Sequence, residues 1–189
     1  MNKRRTTIAL LGVDGAGKSA ATSNLQRVLG DKCIVTYMGG RSFEDNRVET
    51  LSQLPHKTIL DLIKLDWFKY KCFLKRYKDS ISQGKIIIFD RYVQEQYLNA
   101  LGLHKLLNII LYKYLYPKSD ITIYLFCPAD VSFSRKADIL DKKTFIAMKN
   151  RFDKEFKNKK NVLCVNTQEL SEEDVTTEIV KHLTNKGVI

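Results

Sequence analysis

Cysteine is scarce and scattered. Cys33, Cys72, Cys127 and Cys164 form no C-x-x-C pair and no His-Cys cluster at zinc spacing. That excludes a disulfide framework and a zinc module. Free thiols in a reducing cytosol are expected, since Cys33, Cys127 and Cys164 lie in or beside apolar strand-like runs. His56, His104 and His182 are isolated and match no metal motif. Long apolar runs are missing too: the longest, Ile121 to Cys127, is broken by Thr122 and falls far short of the ~20 residues of a membrane span. The basic opening, Met-Asn-Lys-Arg-Arg, leads into an apolar run that stops at Leu11, without the h-region or cleavage site of a signal peptide, so no export is expected. Acids are outnumbered 21 to 32 by Lys and Arg, a formal charge of +11 that attracts anions: nucleic acid, anionic lipid or phosphorylated small molecules. The bases are not gathered in one tail, and the densest run, Lys157, Lys159 and Lys160, suits a solvated helix end. No internal repeat or low-complexity segment is visible. What is present is ordinary globular material: 189 residues, 44% hydrophobic and 28% charged, which excludes disorder and fibrous structure. The expectation is one domain, residues 1–189, able to bury a core without disulfides or structural metal.

The hydrophobic pattern alternates between strand and helix. Thr6–Gly12, Lys32–Met38, Lys85–Phe89, Ile121–Phe126 and Asn161–Val165 read as short buried strands. Lys18–Leu29, Lys57–Gln83, Lys142–Phe156 and Ser171–Leu183 read as helices, the last with a capped acidic start at Ser171-Glu-Glu-Asp174. Tyr92–Tyr116 reads as mostly helical, broken near Gly102. Pro128 suits the first turn of a further helix. Phe43–Leu54 is polar and ambiguous. Five apolar strands separated by helices predict an α/β fold: a five-stranded parallel sheet covered by helices on both faces, a three-layer sandwich.

Between the first strand and the first helix stands Gly12-Val-Asp-Gly-Ala-Gly17-Lys18-Ser19, which fits G-x-x-x-x-G-K-[ST]. Small residues let a tight loop turn successive backbone N–H groups toward phosphate oxygens, and the following helix aims its positive end at the same anion. Lys18 then reaches the β and γ phosphates, and the Ser19 hydroxyl ligates Mg²⁺. Gly12, Asp14, Gly15, Ala16, Gly17, Lys18, Ser19 and Ala20 are the expected contacts of the donor, ATP. The third strand ends in Asp90-Arg91-Tyr92. An acid at the tip of a buried strand lies where open α/β sheets bind ligands, so Asp90 is the second candidate for Mg²⁺, with Ser19. Arg91 could clamp a phosphate through both guanidinium edges. Asp90 could instead cap the next helix, with Arg91 paired to it.

A phosphate loop beginning Gly-Val-Asp-Gly, an Asp-Arg-Tyr after the third strand, and the stretch from Pro117 to Arg135-Lys136 together resemble the thymidylate kinase family over nearly the whole chain. The resemblance implies a P-loop NTPase fold of the nucleotide-kinase type, using ATP and Mg²⁺; a cytoplasmic protein is expected, and the apolar helix within Leu101–Tyr116 is to be buried by its own core or by a twin subunit, the resemblance favouring a homodimer. It implies that Asp14 reaches toward the acceptor nucleotide. It implies that Asp90 and Arg91 hold the acceptor phosphate and organise the metal, with Tyr92 beside them. Gly15 stands where some members carry a catalytic Arg. Members with glycine there take that Arg from a lid, expected here over about 135–145, with Arg135 first among Arg135, Lys136, Lys142 and Lys143. Asn166–Gln168 matches the border of the adenine site.

The departures lie on the acceptor side. After the second strand the family reads Arg-Glu-Pro-Gly-Gly, and this chain reads Tyr37-Met-Gly-Gly-Arg41. Leu65 and Lys69 stand where the family carries a base-stacking Phe and a carbonyl-reading Arg. Trp67 or Phe68 could restore the stacking, or Trp67, Phe68, Tyr70 and Phe73 could be helix-core aromatics. Val93-Gln-Glu-Gln-Tyr97-Leu-Asn99 replaces the small hydroxyl residues and Tyr-Gln pair. The expected substrate contacts are Asp14, Arg41, Lys69, Asp90, Arg91 and Tyr92, and the expected catalytic groups Lys18, Arg91, Arg135 and Asp14. The reaction expected is in-line transfer from MgATP to a small anionic acceptor, first a nucleoside monophosphate such as dTMP. The alternative is a deoxynucleoside or other small hydroxyl compound. A nucleic-acid-stimulated ATPase or switch would use the positive charge, but the chain has no added interaction domain. A binding module without catalysis is disfavoured by intact Lys18, Ser19, Asp90 and Arg91.

Overall fold

The computed structural model describes residues 6–39, 45–100, 102–135 and 141–189. These fall into two compact units. The first takes Met1–Tyr37, Gly84–Arg91 and Ser119–Ile189; the second takes Met38–Gln83 and Tyr92–Lys118.

The first unit is built on a sheet of five parallel strands, ordered β2-β3-β1-β4-β5: β1 Thr7–Leu11, β2 Cys33–Tyr37, β3 Ile86–Asp90, β4 Ile121–Phe126 and β5 Val162–Asn166. The order explains the composition. β1 lies in the centre, and all five of its residues are buried, as are Ile87, Ile88 and Phe89 of β3 and Ile123, Tyr124 and Leu125 of β4. A strand covered on both faces has no polar side, so these runs show no alternation. The edge strands β2 and β5 are only partly buried and carry the polar residues Thr36 and Asn166. Thr7 and Asp120 lock the starts of β1 and β4: the Asp120 carboxylate accepts from the Thr7 backbone N–H at 2.9 Å and its hydroxyl at 2.8 Å.

Among the described residues of this unit are the α-helices α1 Lys18–Leu29, α6 Ala129–Ser134, α7 Lys142–Phe156 and α8 Glu172–Asn185. The expected capping box at the start of α8 is present, with Ser171 and Asp174 bonding each other's backbone N–H. Pro128 stands just outside α6 as its N-cap, not within its first turn.

The second unit is helical. The ambiguous polar segment forms α2, Asn46–Gln53, because Asp45 caps it, accepting from the Arg47 N–H at 3.0 Å. A Thr58–Asp61 capping box opens α3, Ile59–Ser82. The stretch after Tyr92 becomes α4 Gln94–Asn99 and α5 Gly102–Asn108, which continues as a π-helical stretch, Ile109–Leu115. Among the described residues no helix is long and apolar enough to cross a membrane. All four cysteines are free; Cys33 and Cys127 are buried.

Candidate active site

β1 runs straight into the glycine loop, and α1 leaves it at Lys18, so the central strand delivers the loop to the positive end of a helix. Asp14, Gly15, Gly17, Lys18, Ser19 and Ala20 line one cavity of about 500 Å³, together with Arg91 and Arg135. The loop is closed by a backbone bond from Ala16 N–H to the Val13 carbonyl, 3.1 Å. Ala16 is buried behind it, and Gly12 is buried at its start. The Lys18 side chain is only 5% exposed, and its ammonium donates to the carbonyls of Gly12 at 2.6 Å and Val13 at 2.9 Å.

Parallel pairing of β1 with β3 sets Leu10 beside Asp90, and the Arg91 N–H extends the ladder to the Leu10 carbonyl, 3.1 Å. Arg91 has φ 67°, the left-handed region. For a residue with a Cβ that costs about 1–3 kcal/mol, which surrounding contacts must hold. The contact observed is an ion pair: the Arg91 guanidinium donates to the Asp14 carboxylate, which also lies 3.8 Å from the Lys18 ammonium. The alternative of Asp90 as a helix cap is not realised: α4 begins after Val93, with no side-chain cap bond.

Gly15, with φ +79°, lies under α6. A Cβ on Gly15 would stand 2.2 Å from the Ser132 carbonyl oxygen. The Arg135 guanidinium, just past the end of α6, donates to the Gly15 carbonyl at 3.2 Å. The expected base thus reaches the phosphate loop from 120 residues away in sequence. Lys142 instead pairs with Asp130, 2.7 Å, at the surface.

The cavity has a further wall that the sequence reading missed in part: Thr167, Leu170, Ser171, Glu172 and Val175, from the turn after β5 and the start of α8. Thr167, inside the expected Asn166–Gln168 stretch, ties this wall to the loop, its hydroxyl donating to the Ala16 carbonyl at 3.2 Å. Leu170, Glu172 and Val175 had no local signal, since a helix-capping segment looks the same whether or not a cavity opens beside it.

The other expected residues belong to the second unit or fall outside the described residues. Tyr92 is fully buried, and its hydroxyl donates to the Pro117 carbonyl at 2.9 Å. Lys69 is on α3 in the second unit, partly buried; burial pulls its ammonium below the usual lysine range, opposed by Asp66. Leu65 is buried in the same unit. Of the aromatics, Phe73 is buried and Tyr70 packs edge-on against Tyr116. Trp67 is 44% exposed and stacked on Tyr70, and Phe68 lies 4.3 Å beneath the Arg47 guanidinium. Arg41 and Lys136 fall outside the described residues.

Among the described residues no three His, Cys, Asp or Glu side chains converge to hold a metal by themselves. The donors near the loop are hard oxygens, the Ser19 hydroxyl on the cavity wall and the carboxylates of Asp14 and Asp90. That set fits Mg²⁺, which keeps several waters and takes its remaining ligands from phosphate.

Comparison with known proteins follows the same lines. The family model described as thymidylate kinase matches residues 11–179. No curated protein sequence matches the chain. Among solved structures, thymidylate kinase from Candida albicans superposes with a TM-score of 0.74 at 19% identity, covering 98% of this chain and 94% of that one. Deoxyadenosine kinase from M. mycoides, with the products dCMP and dCDP bound, gives 0.68 at 19% identity, covering 95% of this chain and all of that one. At such identities the likeness speaks for the fold.

Proposed function

The chain belongs to the thymidylate kinase family, and from that membership we propose that it transfers the terminal phosphoryl group of MgATP to a nucleoside monophosphate, with dTMP first among them. It is a phosphotransferase; donor, metal and acceptor are the proposal. The observation that carries it is the single cavity over the glycine loop, into which Lys18, Arg91 and Arg135 converge with Asp14. Backbone N–H groups of the loop and Lys18 hold the donor phosphates. Ser19 and Asp90 would hold Mg²⁺, which neutralises phosphate charge when bound. Arg91 exchanges its Asp14 partner for the acceptor phosphate, and Arg135 stabilises charge on the moving group. A phosphate acceptor is already anionic and needs no general base. That suits a site whose nearest carboxylate, Asp14, still lies close to the Lys18 ammonium once Arg91 has turned to the acceptor.

The fold likeness to deoxyadenosine kinase supports a second reading, a deoxynucleoside acceptor. ADP formation from MgATP, measured over a panel of nucleoside monophosphates and nucleosides against an acceptor-free blank, separates the two. Turnover with dTMP and other monophosphates is expected. Turnover confined to nucleosides replaces the first reading with the second, and silence across the panel overturns both.

We read residues 1–189 as one cytoplasmic kinase domain with a lid over about 135–145; the free thiols suit a reducing compartment. We also read it as a homodimer through the second unit, where α3 exposes Ile59, Leu60, Ile63 and Trp67. The neighbouring α5 and π-helical stretch expose Leu106, Ile110, Tyr114 and Leu115. An apolar groove of about 270 Å³ runs between Ile59, Ile63, Leu106 and Ile110. An exposed apolar face of this kind marks an interaction surface. Sedimentation equilibrium should give a dimer for the native chain and a monomer for Ile63→Glu; a monomeric native chain removes this reading.

A further inference from the structure

The cation beside the phosphate loop is placed by α6, a helix of only six residues. A segment that short is not stable by itself, so its position comes from what anchors it. Phe133 packs edge-on against Phe145 of α7, and on the loop side the anchor is Ser132. It is fully buried, and its hydroxyl lies 2.8 Å from the thiol of Cys127, itself fully buried at the end of β4. The Ser132 carbonyl, in the last turn, occupies the position a Gly15 Cβ would take. Three residues on, the Arg135 guanidinium reaches the carbonyl of that same glycine. One face of α6 therefore touches the loop twice, once to fix its distance and once with the charge. The first contact sets the second, because Ser132 and Arg135 are one helical turn apart.

We infer that Ser132, held by Cys127, is the positioning residue that sets Arg135 over the phosphate loop. This rests on the proposed transition-state role of Arg135. Cys127 places Ser132 from the sheet, Ser132 meets Gly15 from above, and the guanidinium is thereby held within reach of the moving phosphoryl group.

The test is a double-mutant cycle on the full chain, with kcat and the KM for MgATP measured for each protein and folding checked by thermal melting. Arg135→Ala should lower kcat by roughly ten- to a thousandfold. Ser132→Ala should lower kcat by about 10- to 100-fold, the scale of an ångström-sized misplacement, with KM changed less than about threefold. In the Arg135→Ala background the Ser132→Ala loss should shrink to less than about threefold, because the residue then has nothing to position. Cys127→Val, which removes the hydroxyl's partner at similar volume, should reproduce the Ser132→Ala loss. Cys127→Ser, which restores a partner, should recover kcat. Equal Ser132→Ala losses in both backgrounds would mean Ser132 serves the fold alone, leaving the Arg135 reading intact. No kcat loss for Ser132→Ala and Cys127→Val likewise overturns the positioning role. An unchanged kcat for Arg135→Ala removes the reading on which the inference rests, and the inference with it.

Discussion

Lys18→Ala should lower kcat by about 10³-fold or more while leaving the melting temperature of the nucleotide-free protein within a few degrees of native. The two halves of this expectation have different origins. Lys18 would supply a full positive charge from a nearly buried side chain, to neutralise phosphate charge as the bond breaks. Its ammonium is held by two loop carbonyls, Gly12 and Val13, in a cradle made by the chain's own backbone. The fold around that cradle rests on the buried β1, β3 and β4, which the substitution leaves untouched. Lys18→Arg should fail almost as badly, because a planar guanidinium cannot reproduce a compact ammonium between those carbonyls. Steady-state ADP formation and a melting curve check both halves; native turnover in Lys18→Ala would remove the phosphate-loop assignment.

Gly15→Ala should damage both stability and turnover. At φ +79° an alanine is strained, and its Cβ would overlap the Ser132 carbonyl at 2.2 Å. Because the obstacle is backbone, it cannot swing aside as a side chain would; either α6 or the loop must move. The expected cost is about 2–4 kcal/mol of stability, combining backbone strain with overpacking. A fall in kcat of at least about 100-fold is expected with it, since Arg135 moves along with α6. Gly84→Ala is the control: Gly84 has a similar φ, +74°, but nothing lies within 4 Å of the added carbon. It should lose only about 1 kcal/mol and keep full turnover. The gap between the two variants, read by denaturant unfolding and steady-state kinetics, isolates the overlap with Ser132. If Gly15→Ala behaves like Gly84→Ala, the close approach of α6 to the loop is wrong. The same overlap leaves no room for a side chain at position 15 while α6 stays where it is.

The phosphate loop was legible because its determinants are contiguous. The turn, the lysine and the helix start all fall within Gly12–Ser19, so local chemistry alone shapes that stretch. The parallel sheet was legible for a related reason: strands buried on both faces lose their polar alternation, and β1, β3 and β4 show it plainly. β3 ends at Asp90 and Arg91 turns left-handed at φ 67°, so strand alternation does not fix the direction of Tyr92, which only the tertiary packing decides. The widened π-helical turns at Ile109–Leu115 were invisible because their apolar spacing passes for an ordinary helix.

By itself, then, the sequence determined the glycine loop between β1 and α1 and which cations could stand near it. It could not determine how those cations are held. The pairing of Arg91 with Asp14 exists because β1 and β3 are neighbours in register. The reach of Arg135 to Gly15 exists because β4 sends α6 back across the loop. The wall of Thr167, Leu170 and Val175 exists because β5 closes the sheet on the same side. Each joins residues tens to more than a hundred positions apart, and only the order of strands in the sheet decides that they meet.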